Sequence, residues 1–166
     1  MRYGTRLFVI LLLLVVPLGA GAIEVGKPAP GFKLKALDGE KVSLADYRGK
    51  VVLLKLATTW CPTCTQLTKE LTAIGDFLKE HDTVLIEVFI QDTEEMVARY
   101  LEGKSYPMVH KVLLDDRQVY KAYSIYLIPR FLVLDREHRV SFDNGATAAI
   151  PPAEELKQLV EAALKN

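Results

Sequence analysis

The feature that most limits what this chain can become lies in residues 51–78. An apolar run, Val51-Val52-Leu53-Leu54-Lys55-Leu56-Ala57, is followed at once by Trp60-Cys61-Pro62-Thr63-Cys64. Such a continuous run suits a strand covered on both faces. The hydrophobic period then changes, and Cys64, Leu67, Leu71, Ile74, Phe77 and Leu78 fall on one face of a helix. The Cys-x-x-Cys therefore sits at a strand-to-helix junction. Pro62 fits that junction, because a proline at the first helical position lacks only an N–H that would be unpaired anyway. Gly75 inside the helical stretch is costly in a helix interior, which predicts a bend or a tight packing contact there.

The junction determines the chemistry. Free backbone N–H groups and the positive end of the helix dipole stabilise a thiolate on Cys61. A thiol at such a position titrates at roughly 3.5–7.5 instead of about 8.5, and the thiolate is the nucleophile. Cys64 lies one turn further on, facing inward, placed to attack a mixed disulfide formed on Cys61. These are the only two cysteines. As a structural staple the pair would be nearly useless, since so short a ring constrains little of the unfolded chain. A structural zinc site would need more ligands than two thiols. His81, His110 and His138 are scattered in charged or loop-like contexts and read as solvated surface residues. No metal is expected, and no cofactor beyond the redox-active Cys61–Cys64 disulfide.

The rest of the chain reads as alternating short elements. Phe32–Ala36 and Lys41–Leu44 alternate around the turn signal Asp38-Gly39, predicting a hairpin. Val84–Ile90 reads as a second buried strand, and a helix opens at Thr93-Glu94-Glu95 and stops near Gly103. Asp116–Tyr123 reads as a short helix. Phe131–Asp135 and Val140–Phe142 form a hairpin, and Leu156, Leu159, Val160, Ala163 and Leu164 mark an amphipathic closing helix after Pro151-Pro152. This order describes an α/β fold: a central mixed sheet flanked by helices on both faces, with an N-terminal β-hairpin extension.

The N-terminus has the pattern of an export signal. Arg2 and Arg6 precede the apolar run Leu7–Val16; Pro17 and Gly19 break it, and Ala20-Gly21-Ala22 supplies small residues for cleavage. The run is short for a bilayer-spanning helix, which needs about 20 residues. Residues 1–22 are thus expected to be a signal peptide and 23–166 a single domain, with an uncleaved anchor through residues 7–18 as the alternative. The periplasm or another exported location follows. Basic and acidic residues are equal at 21 each, so no nucleic-acid partner is expected.

Gly26-Lys27-Pro28-Ala29-Pro30-Gly31-Phe32, Leu37-Asp38-Gly39-Glu40-Lys41-Val42-Ser43-Leu44 and Tyr47-Arg48-Gly49-Lys50 lead into Trp60–Cys64, and Ile128-Pro129 precedes Phe131–Asp135. In combination they resemble the TlpA/ResA/CcmG branch of the thioredoxin superfamily, which is AhpC/TSA-related. The resemblance implies a thioredoxin fold and a cis bond at Ile128-Pro129 beside the dithiol. It also implies a substrate groove formed by Trp60, Pro62, Thr63, Ile128 and Pro129. It further implies protein thiols and disulfides as partners, apocytochrome c among them, a membrane electron donor of thiol-reductase type, and a monomer. Arg130 stands after the proline where a Thr is usual, which implies a more cationic groove. Lys55 stands where thioredoxins carry a buried acid, and Glu87 where they have a Lys. Two readings stay open: a charge-swapped pair beneath the dithiol that tunes cysteine acidity, or a Lys that snorkels to water with Glu87 solvated at a strand end.

The leading function is an exported thiol–disulfide oxidoreductase working reductively, as in cytochrome c maturation. A peroxiredoxin-like thiol peroxidase is the first alternative. Thr58-Thr59-Trp60-Cys61 carries half of that pattern and Arg130 lies near its arginine, but Leu54 stands where it wants Pro. A redox-inactive binding or chaperone module is the second, and the intact Cys-x-x-Cys and proline argue against it.

Overall fold

The structure is a computed structural model that describes residues 23–165; the expected signal segment, 1–22, lies outside them. β1 (Lys33–Ala36) and β2 (Lys41–Ser43) form the expected hairpin. Its turn places Gly39 at φ +89°, a conformation in which only glycine is at ease. The chain continues through β3 (Val52–Ala57), α1 (Pro62–Ala73), α2 (Gly75–Glu80), β4 (Val84–Phe89), α3 (Glu94–Leu101), β5 (Val109–Leu114) and α4 (Gln118–Ala122). It ends with β6 (Arg130–Leu134), β7 (Val140–Asp143) and α5 (Ala153–Leu164).

The seven strands form one sheet in the order β2-β1-β5-β4-β3-β6-β7. β3, β4 and β5 run parallel and the outer pairings are antiparallel. Every residue of β3 and β4 is buried, as expected for strands covered on both sides. On one face Leu53, Leu85, Phe131 and Val133 meet Leu67 and Leu71 of α1 and Leu156 and Val160 of α5. On the other, Leu54, Ile86, Val88 and Leu132 meet Leu34 and Val42 of the hairpin and Val119 of α4. Each fully buried aliphatic side chain contributes about 1.5–3 kcal/mol of transfer free energy, so the sheet is clamped from both faces.

Two local features sharpen the sequence reading. The helix after the cysteines is interrupted: Ile74 leaves helical geometry at φ −107°, ψ 17°, and Gly75 opens α2. A Cβ on Gly75 would stand 2.1 Å from Pro107 Cγ, so bend and tight contact occur together. β5 is absent from the sequence reading. His110 and Lys111 break its apolar pattern and only Leu113 is fully buried, so nothing in its composition signals a strand lying between β1 and β4.

Candidate active site

β3 ends at Ala57, and the next three residues aim the motif outward. The Thr59 N–H and hydroxyl both donate to the Asp92 carboxylate, at 2.9 and 2.8 Å, and the Cys61 N–H donates to the Thr58 carbonyl. Trp60 is left 64% exposed. Cys61 is the N-cap of α1 and Pro62 occupies its first turn. Cys61 and Cys64 are joined in a disulfide with Cα atoms 5.2 Å apart. The Cys64 N–H donates to Cys61 Sγ at 3.0 Å. Once the disulfide is opened, that donor and the helix dipole favour negative charge on the same sulfur. Cys61 is 5% exposed and Cys64 1%, so Cys61 is the outer sulfur; Pro62 and Thr63 are exposed beside it.

The Ile128-Pro129 bond is cis, and Ile128 packs against Ala57, Cys61 and Cys64. The segment is braced from below by Asn144. Its side-chain amide donates to the Pro129 carbonyl at 3.0 Å and its oxygen accepts from the Phe131 N–H at 2.9 Å. Asn144 had no signal in the sequence beyond being a polar residue after a strand. Arg130 corrects an expectation. Its guanidinium is bound bidentately by Asp143, at 2.8 and 2.6 Å, and also donates to the Tyr123 carbonyl. Its charge is committed to the β6–β7 hairpin and does not make the groove cationic.

Lys55 and Glu87 are cross-strand neighbours in the β3–β4 register, and both are 0% exposed. Lys55 Nζ donates to Glu87 Oε1 and to Thr68 Oγ1, each at 2.5 Å. The Thr68 hydroxyl donates in turn to the Cys64 carbonyl at 3.1 Å. The second Glu87 oxygen is paired with His110 Nε2 at 3.0 Å, and the Tyr106 ring lies 4.2 Å from the His110 ring. His110 is therefore not a solvated surface residue, its side chain being 8% exposed, and neither is His138, which is 4% exposed. Burial pushes the Glu87 carboxyl up, but the Lys55 ammonium and the His110 bond outweigh it and hold it below its ordinary value. The same burial, with the Glu87 charge next, pushes the Tyr106 phenol up. A buried ionised network thus connects the turn bearing Cys64 to the sheet interior, each charge carrying a partner, as burial demands. Among the described residues no cluster of His, Cys, Asp or Glu has the makings of a metal site.

The sequence profile of the AhpC/TSA family matches residues 25–142. The chain is similar to the thiol-disulfide oxidoreductase ResA of Bacillus subtilis, 32% identical over 155 residues that cover 84% of this chain and 85% of that protein. It is also similar to the thioredoxin-like protein YneN of the same organism, 33% identical over 120 residues, 69% of this chain and 68% of that one. In three dimensions it matches the thioredoxin domain of a thiol-disulfide oxidoreductase from Bacteroides vulgatus with a TM-score of 0.71, over 84% of this chain and 97% of that chain. At 23% identity the last likeness speaks to the fold alone.

Proposed function

The chain belongs to the AhpC/TSA family, and from that membership we propose that it is an exported thiol–disulfide oxidoreductase that reduces disulfides in protein substrates through Cys61 and Cys64. The observation that carries this reading is the placement of Cys61 Sγ at the N-cap of α1, accepting the Cys64 N–H, with Ile128 of the cis-proline segment packed against it. Similarity to ResA, named a thiol-disulfide oxidoreductase, supports the reaction class.

In the reduced enzyme the Cys61 thiolate attacks one sulfur of a substrate disulfide. The substrate S–S bond breaks, its other sulfur leaves as a thiolate that takes up a proton, and Cys61 is held in a mixed disulfide. Cys64 then gives up its proton and attacks Cys61 Sγ. The Cys61–Cys64 disulfide forms and the second substrate sulfur leaves as a thiol, two electrons having passed to the substrate. A membrane-bound thiol reductase returns the enzyme to the dithiol, and Trp60, Pro62, Thr63, Ile128 and Pro129 form the surface on which the substrate chain lies. Lys55 and Glu87 tune the acidity of the pair from beneath. Apocytochrome c cysteines awaiting haem are the substrates that the resemblance favours.

Thiol peroxidase chemistry needs a cation free to act beside the nucleophile, and the Arg130 guanidinium is committed to Asp143. Two measurements test the proposal. The reduced protein should precipitate insulin by reducing it, with peroxide consumption no faster than in a Cys61→Ser variant. The reduction potential of the Cys61–Cys64 couple should be about −270 mV, whereas a value of about −120 mV would assign an oxidant.

A further inference from the structure

A groove leads away from the dithiol along the carboxyl ends of β4 and β5, where open α/β sheets bind their ligands. Its near end is a crevice of about 260 Å³ that includes Trp60, Tyr126 and Ile128. Its far end is a larger crevice of about 670 Å³ bordered by Arg117 and Lys121. The two adjoin, with Ile90, Gln91 and Tyr120 lining both. The near end is aromatic and open to solvent: Tyr126 is 87% exposed and Trp60 64%. With Tyr120, also exposed, they gather on one crevice, and apolar surface grouped in this way marks interaction sites.

The far end has a different chemistry. Gln91 and Arg117, which border it, hold left-handed backbone at φ 65° and 77°, a conformation that costs an L-residue free energy and tends to persist at binding sites. Two acids and two bases meet there, but not on equal terms. Both oxygens of Asp115 accept N–H groups at the start of α4, from Val119 at 2.9 Å and Tyr120 at 3.0 Å. Asp116 spends one oxygen on the Gln118 N–H. Arg117 and Lys121 form no ion pair with any described residue. Asp115 is turned wholly to the helix start and Asp116 by one oxygen, while both cations remain for a ligand.

We propose that this groove selects extended protein segments in which an acidic residue lies to one side of the exchanging cysteine along the chain, with an apolar or aromatic residue between them. The cysteine meets Cys61, the apolar side chain rests among Trp60, Tyr126 and Tyr120, and the carboxylate pairs with Arg117 and Lys121. The inference rests on the exchange reaction proposed above and adds its substrate class. Charge complementarity of this kind acts mainly on encounter and register, so it shows as a rate.

The test uses peptides whose single cysteine is blocked as a disulfide with mercaptoethanol, identical except for Asp, Ala or Lys at the far position, with that position placed on either side of the cysteine. Reduced protein converts each to two thiols as Cys61–Cys64 becomes a disulfide. For one of the two orientations, the Asp peptide should react about tenfold faster than the Lys peptide at low ionic strength, and the gap should close in high salt. Arg117→Glu with Lys121→Glu, or Lys121→Glu alone if the double variant folds poorly, should reverse the order. Both should react with neutral hydroxyethyl disulfide at the unaltered rate. Equal rates for Asp and Lys peptides in both orientations, or an Asp preference that survives charge reversal, would overturn the groove assignment while leaving the exchange reaction standing. No reaction with hydroxyethyl disulfide would overturn the exchange reading itself, and the groove with it.

Discussion

Lys55 Nζ stands 2.5 Å from Glu87 Oε1, with the two side chains 0% and 1% exposed. The pair sits between β3 and β4, one hydroxyl away from the turn that carries Cys64. Replacing Lys55 by Met keeps the volume and removes the charge. Glu87 would then be left buried with only His110 for a partner, and such a loss costs about 3–5 kcal/mol. The reduced form should also show a raised cysteine pKa, because a nearby ammonium favours the thiolate. Thiolate absorbance against pH and denaturant unfolding of Lys55→Met check both expectations together. A variant unchanged in both would strip Lys55 of any role beneath the dithiol.

His110 supplies the second Glu87 oxygen with its donor. His110→Phe preserves a ring against Tyr106 but leaves that oxygen bare, which should destabilise the fold by about 1–3 kcal/mol. His110→Gln carries an amide donor at a similar reach and should recover part of the loss. Urea midpoints of the two variants, measured side by side, decide whether the bond or only the ring matters.

The depressed Glu87 pKa makes stability depend on pH in a definite sense. The folded carboxyl titrates below its ordinary value of 4.5, so the unfolded chain takes up this proton first as the pH falls. Glu87 therefore contributes its full stability above about pH 4.5 and loses it progressively below, as the folded carboxyl is protonated. The stability advantage of the native protein over Glu87→Gln should be constant near neutrality and shrink in acid. Chemical unfolding of both proteins from pH 7 to pH 3 follows it directly.

Gly75 is held by contact rather than by dihedral freedom. An added Cβ would press on Pro107 Cγ at 2.1 Å and Cδ at 3.0 Å, and a ring tied into the backbone cannot swing aside. Gly75→Ala should cost about 1–3 kcal/mol as overpacking, and adding Pro107→Ala should return most of it. If both single variants and the double lose the same stability, the clash is not the cause.

What could be seen in the sequence was what local chemistry writes plainly. A strand-length apolar run, a Cys-x-x-Cys and a helical stripe together lead to the junction that β3 and α1 form. Lys55 and Glu87 each interrupt an apolar run, and two opposite charges in neighbouring buried strands are forced toward each other by the cost of burying either alone. Residues whose role arises only from packing stayed hidden. His110 looked solvated because it stands beside the charged Lys111, yet the β4–β5 register sets it opposite Leu85, two residues from Glu87 on the same face, where it reaches that carboxylate. Arg130 looked available to a substrate because nothing in the sequence says that Asp143 lies across the hairpin from it. Asn144 and Thr68 act through hydrogen bonds whose geometry no spacing rule encodes.

In the proposed reaction Cys61 attacks and Cys64 resolves. Cys64→Ser removes the resolving thiol and leaves the attack intact, so a mixed disulfide with a substrate protein should accumulate. The variant, reduced and then incubated with an extract of exported proteins, is run on a gel without reductant. Adducts that vanish on adding dithiothreitol, and that are missing when Cys61 is also changed to Ser, are the predicted result. No adducts, or adducts that persist without Cys61, would rule out these roles for the two cysteines.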